Sequence, residues 1–208
     1  MEDTLFRAAA LIIPLIFAIV FHEVAHGWVA RALGDPTAAE RKRLSLNPLR
    51  HVDLFGTVIL PGMLALAKGP IFGWAKPVPV NPRNFANPSR DMMLVALAGP
   101  VSNLVLAWLA SLGLKIIPLW AGVGDVTAAI VICQQAIVIN SGLMVFNLIP
   151  IPPLDGSKIL LHWASPSIRE MVYRIEPYGF ALIFMLAYLG VLMPIIRVFM
   201  IPLVRMLL

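Results

Sequence analysis

The sequence predicts an all-α multi-pass membrane protein. Three observations carry this: 60% of the 208 residues are hydrophobic, only 13% are charged, and the apolar residues fall in long runs. A soluble domain carries roughly 25% charged residues. The runs at residues 8–21, 92–114, 126–149 and 180–196 hold almost no charge, and a spanning helix needs about 20 mostly apolar residues. The reading is about four to six membrane segments with a short extended or re-entrant piece, and one membrane-embedded domain over residues 1–208.

The first run resembles a signal peptide in hydropathy, but it has no small-residue cleavage site and leads directly into the polar cluster at His22, so a retained helix is expected. Residues 54–67 form a shorter apolar piece broken by Gly56, Pro61 and Gly62. Basic loops flank it on both sides, so it is expected to dip into the membrane and return. The run 92–114 contains Gly99-Pro100 and Asn103. The run 126–149 contains Cys133, Asn140 and Asn147, and ends in the proline-rich stretch Asn147 to Gly156. Cys133 reads as a small core hydrophobe. The C-terminal run, with Arg197 and Arg205, reads as a lipid-facing helix with snorkelling ends.

The net charge of +5 does not indicate nucleic acid, because the basic residues are not interleaved with aromatics on one stripe. They stand in short stretches between the apolar runs: Arg31, Arg41, Lys42, Arg43 and Arg50 after the first, Lys68, Lys76, Arg83 and Arg90 before the second, Lys158, Arg169 and Arg174 after the third. The positive-inside rule places these three segments in the cytoplasm of a cell-membrane protein, with the N-terminus and the 116–125 loop, including Asp125, outside.

Charged side chains at bilayer depth are costly, by about 2.5–3.5 kcal/mol on insertion scales, so each requires a partner or a function. The sharpest group is His22-Glu23-Val24-Ala25-His26. Residues four apart share a helical face, so both imidazoles can meet one zinc ion while Glu23 reaches a water beside it. The bland alternative is a buried histidine pair bonded to neighbouring helices. A catalytic zinc normally has a third protein ligand. Asp155, behind Pro150, Pro152 and Pro153, is the natural candidate, although an aspartate before Gly-Ser-Lys also suits a helix N-cap. Glu170 and Glu176 lack the proline-rich lead-in and are weaker. Counting back from Arg31, the histidines lie about 8–14 Å in from the cytoplasmic helix end, on the same side as Asp155.

Taken together and in order, His22-Glu23-x-x-His26-Gly27, Leu97-Ala98-Gly99-Pro100-x-x-Asn103 and Asn147-x-x-Pro150-x-Pro152-Pro153-Leu154-Asp155-Gly156 resemble the site-2 protease family of intramembrane metalloproteases. The segments Asn47-Pro48, Gly73 to Val80 and Asn81-Pro82 are similar to its compact branch, which lacks a PDZ domain. The resemblance implies one zinc per chain between helices, held by His22, His26 and Asp155, with Glu23 as catalytic base. It implies transmembrane proteins or peptides as substrates, cut in regulated intramembrane proteolysis after another protease has shortened them.

Asn140, Asn147 and Asn103 are candidates for holding substrate backbone, orienting Asp155 or stabilising an oxyanion, with Asn140 preferred for the last. Gly99 reads by default as helix packing, or else as a close approach to the metal. The stretch from Trp74 to Val80 is either a polar connection or an edge to which an unwound substrate adds a strand. His51 and His162 lack partners at ligand spacing and read as surface histidines. A metal transporter is the competing class. It would spread polar groups through the membrane and often show an internal repeat, whereas here they cluster at one depth.

Overall fold

The computed structural model describes residues 2–66, 73–120, 122 and 126–208. Lys68 and Asp125, invoked above for topology, lie outside these residues. The described chain is helical, with no strand among those residues. Its frame is three helices, α1 (Glu2–Ala32), α4 (Pro88–Ile116) and α5 (Thr127–Asn147), packed against one another. The stretches Leu5–Ala32, Pro88–Trp120 and Thr127–Asn147 are long and apolar enough to cross a membrane. A fourth crossing is available if the helical pair Pro166–Tyr188 and Leu192–Leu207, bent by 82°, counts as one span. This is the lower edge of the four to six segments expected.

The helices turn apolar side chains outward as well as inward, and polar ones gather at one place between them. Ile12, Ile13, Ile16 and Phe17 of α1 and Val101, Val105 and Trp108 of α4 are exposed, while His22, His26, Asn103, Asn140, Ser141 and Asp155 are buried. Outward apolar and inward polar side chains are what a bilayer selects, since charge and hydrogen-bonding groups can be satisfied only inside the protein.

Short elements join the frame. After α1 come α2 (Thr37–Glu40), then a π-helical turn at Leu54–Ile59 that runs into α3 (Leu60–Leu66). Together these two would rise only about 20 Å, and by Trp74 the chain is back beside its start. The Trp74 N–H donates to the Gly56 carbonyl (3.1 Å) and the Thr57 hydroxyl to the Trp74 carbonyl (2.8 Å). The described ends of this segment therefore lie side by side. Beyond α5, α6 (Asp155–Leu161), α7 (Pro166–Ile175), α8 (Gly179–Tyr188) and α9 (Leu192–Leu207) complete the chain. Ile149, Leu154, Ile183 and Leu192 form the apolar cluster that ties the proline-rich stretch to α8 and α9.

Helix ends follow the local sequence. Gly34 (φ +106°) and Gly190 (φ +73°) adopt the left-handed conformation that closes α1 and α8. Each is followed by a six-to-one backbone bond, Asp35 to Ala30 and Val191 to Leu186. The three Asn-Pro pairs share one local role: Asn47, Asn81 and Asn87 each cap a helical turn with the side-chain oxygen, and the proline takes the first helical position.

One tie escapes sequence inspection. Asp35 is fully buried and accepts from the Thr37 hydroxyl and N–H, the Asn81 N–H (2.7 Å) and the Asn84 side-chain amide (2.6 Å). It locks the end of α1 to the loop before α4. Burial pushes this carboxyl up, but the hydrogen bonds outweigh burial and hold its pKa below the ordinary aspartate value. Its contribution is therefore complete above the unfolded pKa of about 3.9 and is lost as pH falls through the depressed folded value. We expect Asp35→Ala to lower stability by about 1–3 kcal/mol at pH 7, and thermal unfolding of variant and wild type to converge in acid. Equal midpoints at pH 7 would exclude the tie.

Candidate metal centre

His22 and His26 lie one turn apart on α1, with ring centroids 4.6 Å apart at 87°. Their Nδ1 atoms are both committed. His26 Nδ1 lies 2.7 Å from the Val95 carbonyl, which can only accept, so this nitrogen carries the proton. His22 Nδ1 lies 2.7 Å from Asn103 Oδ1. The Asn103 amide donates to the Ala18 carbonyl (3.2 Å) and to Asn140 Oδ1 (3.0 Å), which fixes its orientation. The Asn140 amide in turn donates to the Ala136 carbonyl (2.9 Å). In the neutral imidazoles, then, both Nε2 atoms present lone pairs to the interior.

Asp155, the first residue of α6, meets them there. Its Oδ2 lies 3.2 Å from His22 Nε2 and 3.3 Å from His26 Nε2. That oxygen is buried and accepts no hydrogen bond. With both imidazoles neutral, three acceptors converge here. Protonating both imidazoles would put two cations face to edge within one buried turn, whereas one divalent cation satisfies all three groups. The ligand atoms lie within 4.8 Å of one another. Ligands about 2.0–2.1 Å from a tetrahedral zinc are separated by roughly 3.3 Å, so the donor set fits that ion.

Gly99 of α4 permits the assembly. A Cβ there would stand 2.5 Å from His22 Cε1, His22 Nε2 and His26 Cε1. The close approach to the histidines, rather than generic helix packing, is thus what this glycine provides. Gly156 acts similarly on α6, where a Cβ would meet the Leu148 carbonyl at 2.2 Å.

A cavity of about 580 Å³ opens over the cluster, lined by His22, Glu23, His26 and Asp155 on one side and by residues of the extended 73–80 segment on the other. Glu23 Oε2 accepts from the Val78 N–H (2.8 Å). The segment is pinned at alternate residues: Trp74 as described, Lys76 through its N–H to the His51 carbonyl (2.9 Å) and its carbonyl to Arg43 (2.7 Å), and Val78 to Glu23. Trp74 also stacks on Phe180 of α8, with centroids 4.6 Å apart.

The remaining candidates separate. Asn147 lines the cavity, its amide donating to the Leu143 carbonyl. Asn140 is not among the described lining residues and stands behind Asn103 instead. His51, expected at the surface, is buried, with its ring nitrogen against the Ser45 carbonyl (2.7 Å) and its own carbonyl accepting from the Lys76 N–H. His162 is half-buried beside Ser89 (3.2 Å). Neither joins the cluster. The Val95 carbonyl and the Val78 N–H belong to the centre too, and backbone groups leave no trace in residue types.

Relatives carry a consistent name. YwhC of Bacillus subtilis, a candidate zinc metalloprotease by its name, is 41% identical over 174 residues, 82% of this chain and 76% of its own length. Rip2 of Mycobacterium tuberculosis, named in the same way, is 32% identical over 177 residues, covering 82% of this chain and 62% of the relative. Rip2 of Mycolicibacterium smegmatis is 28% identical over 183 residues, covering 82% and 63%. No family model matches, and no solved structure matches.

Because Asn103 fixes the His22 tautomer, Asn103→Leu is expected to weaken zinc binding by about 10–100-fold, and Gly99→Ala to displace both rings with at least as large a loss. Zinc titration of the purified variants against a competing chelator measures both, and wild-type affinity in Gly99→Ala would refute the packing account.

Proposed function

Since this chain belongs to the zinc metalloprotease family of these relatives, we propose that it is an intramembrane zinc endopeptidase of the site-2 type, in its compact branch without a PDZ domain. In this reading His22, His26 and Asp155 hold one zinc ion per chain, and Glu23 is the general base. The observation that carries the reading is the meeting of two buried histidine Nε2 atoms with the buried Asp155 Oδ2, at 3.2 and 3.3 Å, inside a bundle whose outer faces are apolar. Zinc in such a site acts as a Lewis acid and lowers the pKa of water there toward about 7.

The chain's own groups do the rest. Glu23 is held at Oε2 by Val78, leaving Oε1 to take a proton from the attacking water and deliver it to the leaving amine. Val95 and Asn103 keep both imidazoles in the tautomer that offers Nε2. Asn147 lines the cavity, which supports it as the asparagine whose second amide hydrogen donates to substrate or oxyanion, while the bonds of Asn103 and Asn140 support a role behind His22.

A peptide bond inside a helix is shielded by the helix's own hydrogen bonds, so a substrate must be unwound and its freed backbone groups satisfied. The 73–80 segment suits this task. Its residues 74, 76 and 78 are bonded to the protein, and extended backbone turns the Ala75 N–H and the carbonyls of Ala75, Pro77 and Pro79 the other way, the two prolines having no N–H to donate. The expected substrates are transmembrane segments of membrane proteins or peptides, already shortened by another protease. The basic loops share the Asp155 end of the bundle, which supports a cell-membrane location with the site nearer the cytoplasm.

The test compares wild type, Glu23→Gln and Asp155→Ala, purified, on a transmembrane model substrate with metal analysis of each. Glu23→Gln should keep its zinc and lose at least about 10²-fold in cleavage rate, and Asp155→Ala should lose zinc and activity together. Wild-type cleavage by Glu23→Gln would remove the base assignment, and a wild type without zinc affinity would remove the whole reading.

A further inference from the structure

A second cavity, of about 350 Å³, lies between the start of α4, α6 and α7, with Ser89, Lys158, His162, Arg169, Tyr173 and Glu176 among its walls. Its charges are unbalanced. Arg169 donates to the Ser89 hydroxyl (3.4 Å) and the His162 carbonyl (3.1 Å), both neutral, and its Nε is buried with no hydrogen-bond partner. Among the described residues no carboxylate lies within ion-pair distance of Arg169 or Lys158, although Glu176 stands on the same wall. A guanidinium partly withdrawn from water without an anion is unfavourable, and its fork of donors matches the oxygens of a phosphate.

The surroundings indicate which phosphate. Ser89 lies in the first turn of Pro88–Trp120, a stretch long and apolar enough to cross a membrane, so the cavity lies at one end of that stretch. Ile168, Met171 and Ile175 form an apolar stripe along α7, exposed by 48%, 54% and 39%, while Arg169 lies on the opposite side, toward the cavity. Trp163 and Tyr178, still more exposed, flank the helix like aromatics at a lipid headgroup boundary. Such a stripe would be unfavourable in water and is accounted for by acyl chains.

We propose that this second cavity binds the phosphate of an anionic phospholipid, with Arg169 and Lys158 as its cationic partners, Ser89 and His162 as hydrogen-bonding walls, and the acyl chains against the α7 stripe. It adjoins the candidate metal centre, since Met92, Lys158 and Glu176 line both cavities. Occupancy needs no proteolysis and can be read independently of it.

Native mass spectrometry of the intact protein released from neutral detergent tests this, with phosphatidylglycerol, phosphatidylcholine and inorganic phosphate titrated separately. Phosphatidylglycerol should be retained over phosphatidylcholine, whose choline cation is repelled by the two basic groups. Arg169→Gln and Lys158→Gln should each weaken retention by about fivefold, and Arg174→Gln, whose guanidinium pairs with Glu170 on the exposed side, should not. Unchanged zinc content and helical circular dichroism establish that each variant is folded. If Arg169→Gln does not fold, Lys158→Gln alone carries the comparison. Equal retention of the two lipids, equal loss in Arg174→Gln, or displacement of the lipid by inorganic phosphate at matching concentration would each overturn the proposal.

Discussion

A polar group buried in a lipid-immersed bundle has only the protein to satisfy it, and the rest of this structure follows from how that demand is met at His22 and His26. Each ring spends one nitrogen on a neighbouring helix, through Val95 and Asn103 of α4. Each turns the other nitrogen toward Asp155. The three helices and the proline-rich stretch are thereby brought to one point. Gly99 supplies the room, and the Asn103–Asn140 bond carries the tension on to α5. Removing any one partner leaves a buried donor or acceptor with nothing in its place.

Much of this was legible from the chain. Spans follow from run length, and the histidine pair from the spacing of four. Asp155 was readable as the natural third ligand beside a helix-cap alternative, and the family resemblance implied the ligand. Its position against both Nε2 atoms depends on the path of residues 148–154, which no local pattern encodes.

Other features were not legible for a common reason: they depend on backbone atoms or on distant pairs. The Val78 N–H, the Val95 carbonyl and the Asp35 tie leave no mark in residue type. The basic residues carry more than topology. Arg43 holds the Lys76 carbonyl and Arg50 the Lys42 carbonyl (2.7 Å), so charges read as cytoplasmic markers also fasten the loops. His51 follows the same logic, its partners being backbone groups.

The pinning of the 73–80 segment has a consequence for selectivity. Trp74, Lys76 and Val78 are fastened at alternate residues, the next anchor is the Asn81 N–H on Asp35, and the Val78 fastening is the Glu23 carboxylate itself. On the proposed reading, the segment is a ruler with the base mounted at one graduation. A peptide laid along it advances in steps of about 6.8 Å per residue pair. The bond to be cut is then counted from an anchored end of the substrate, and chains with no sequence in common can be cleaved at the same distance.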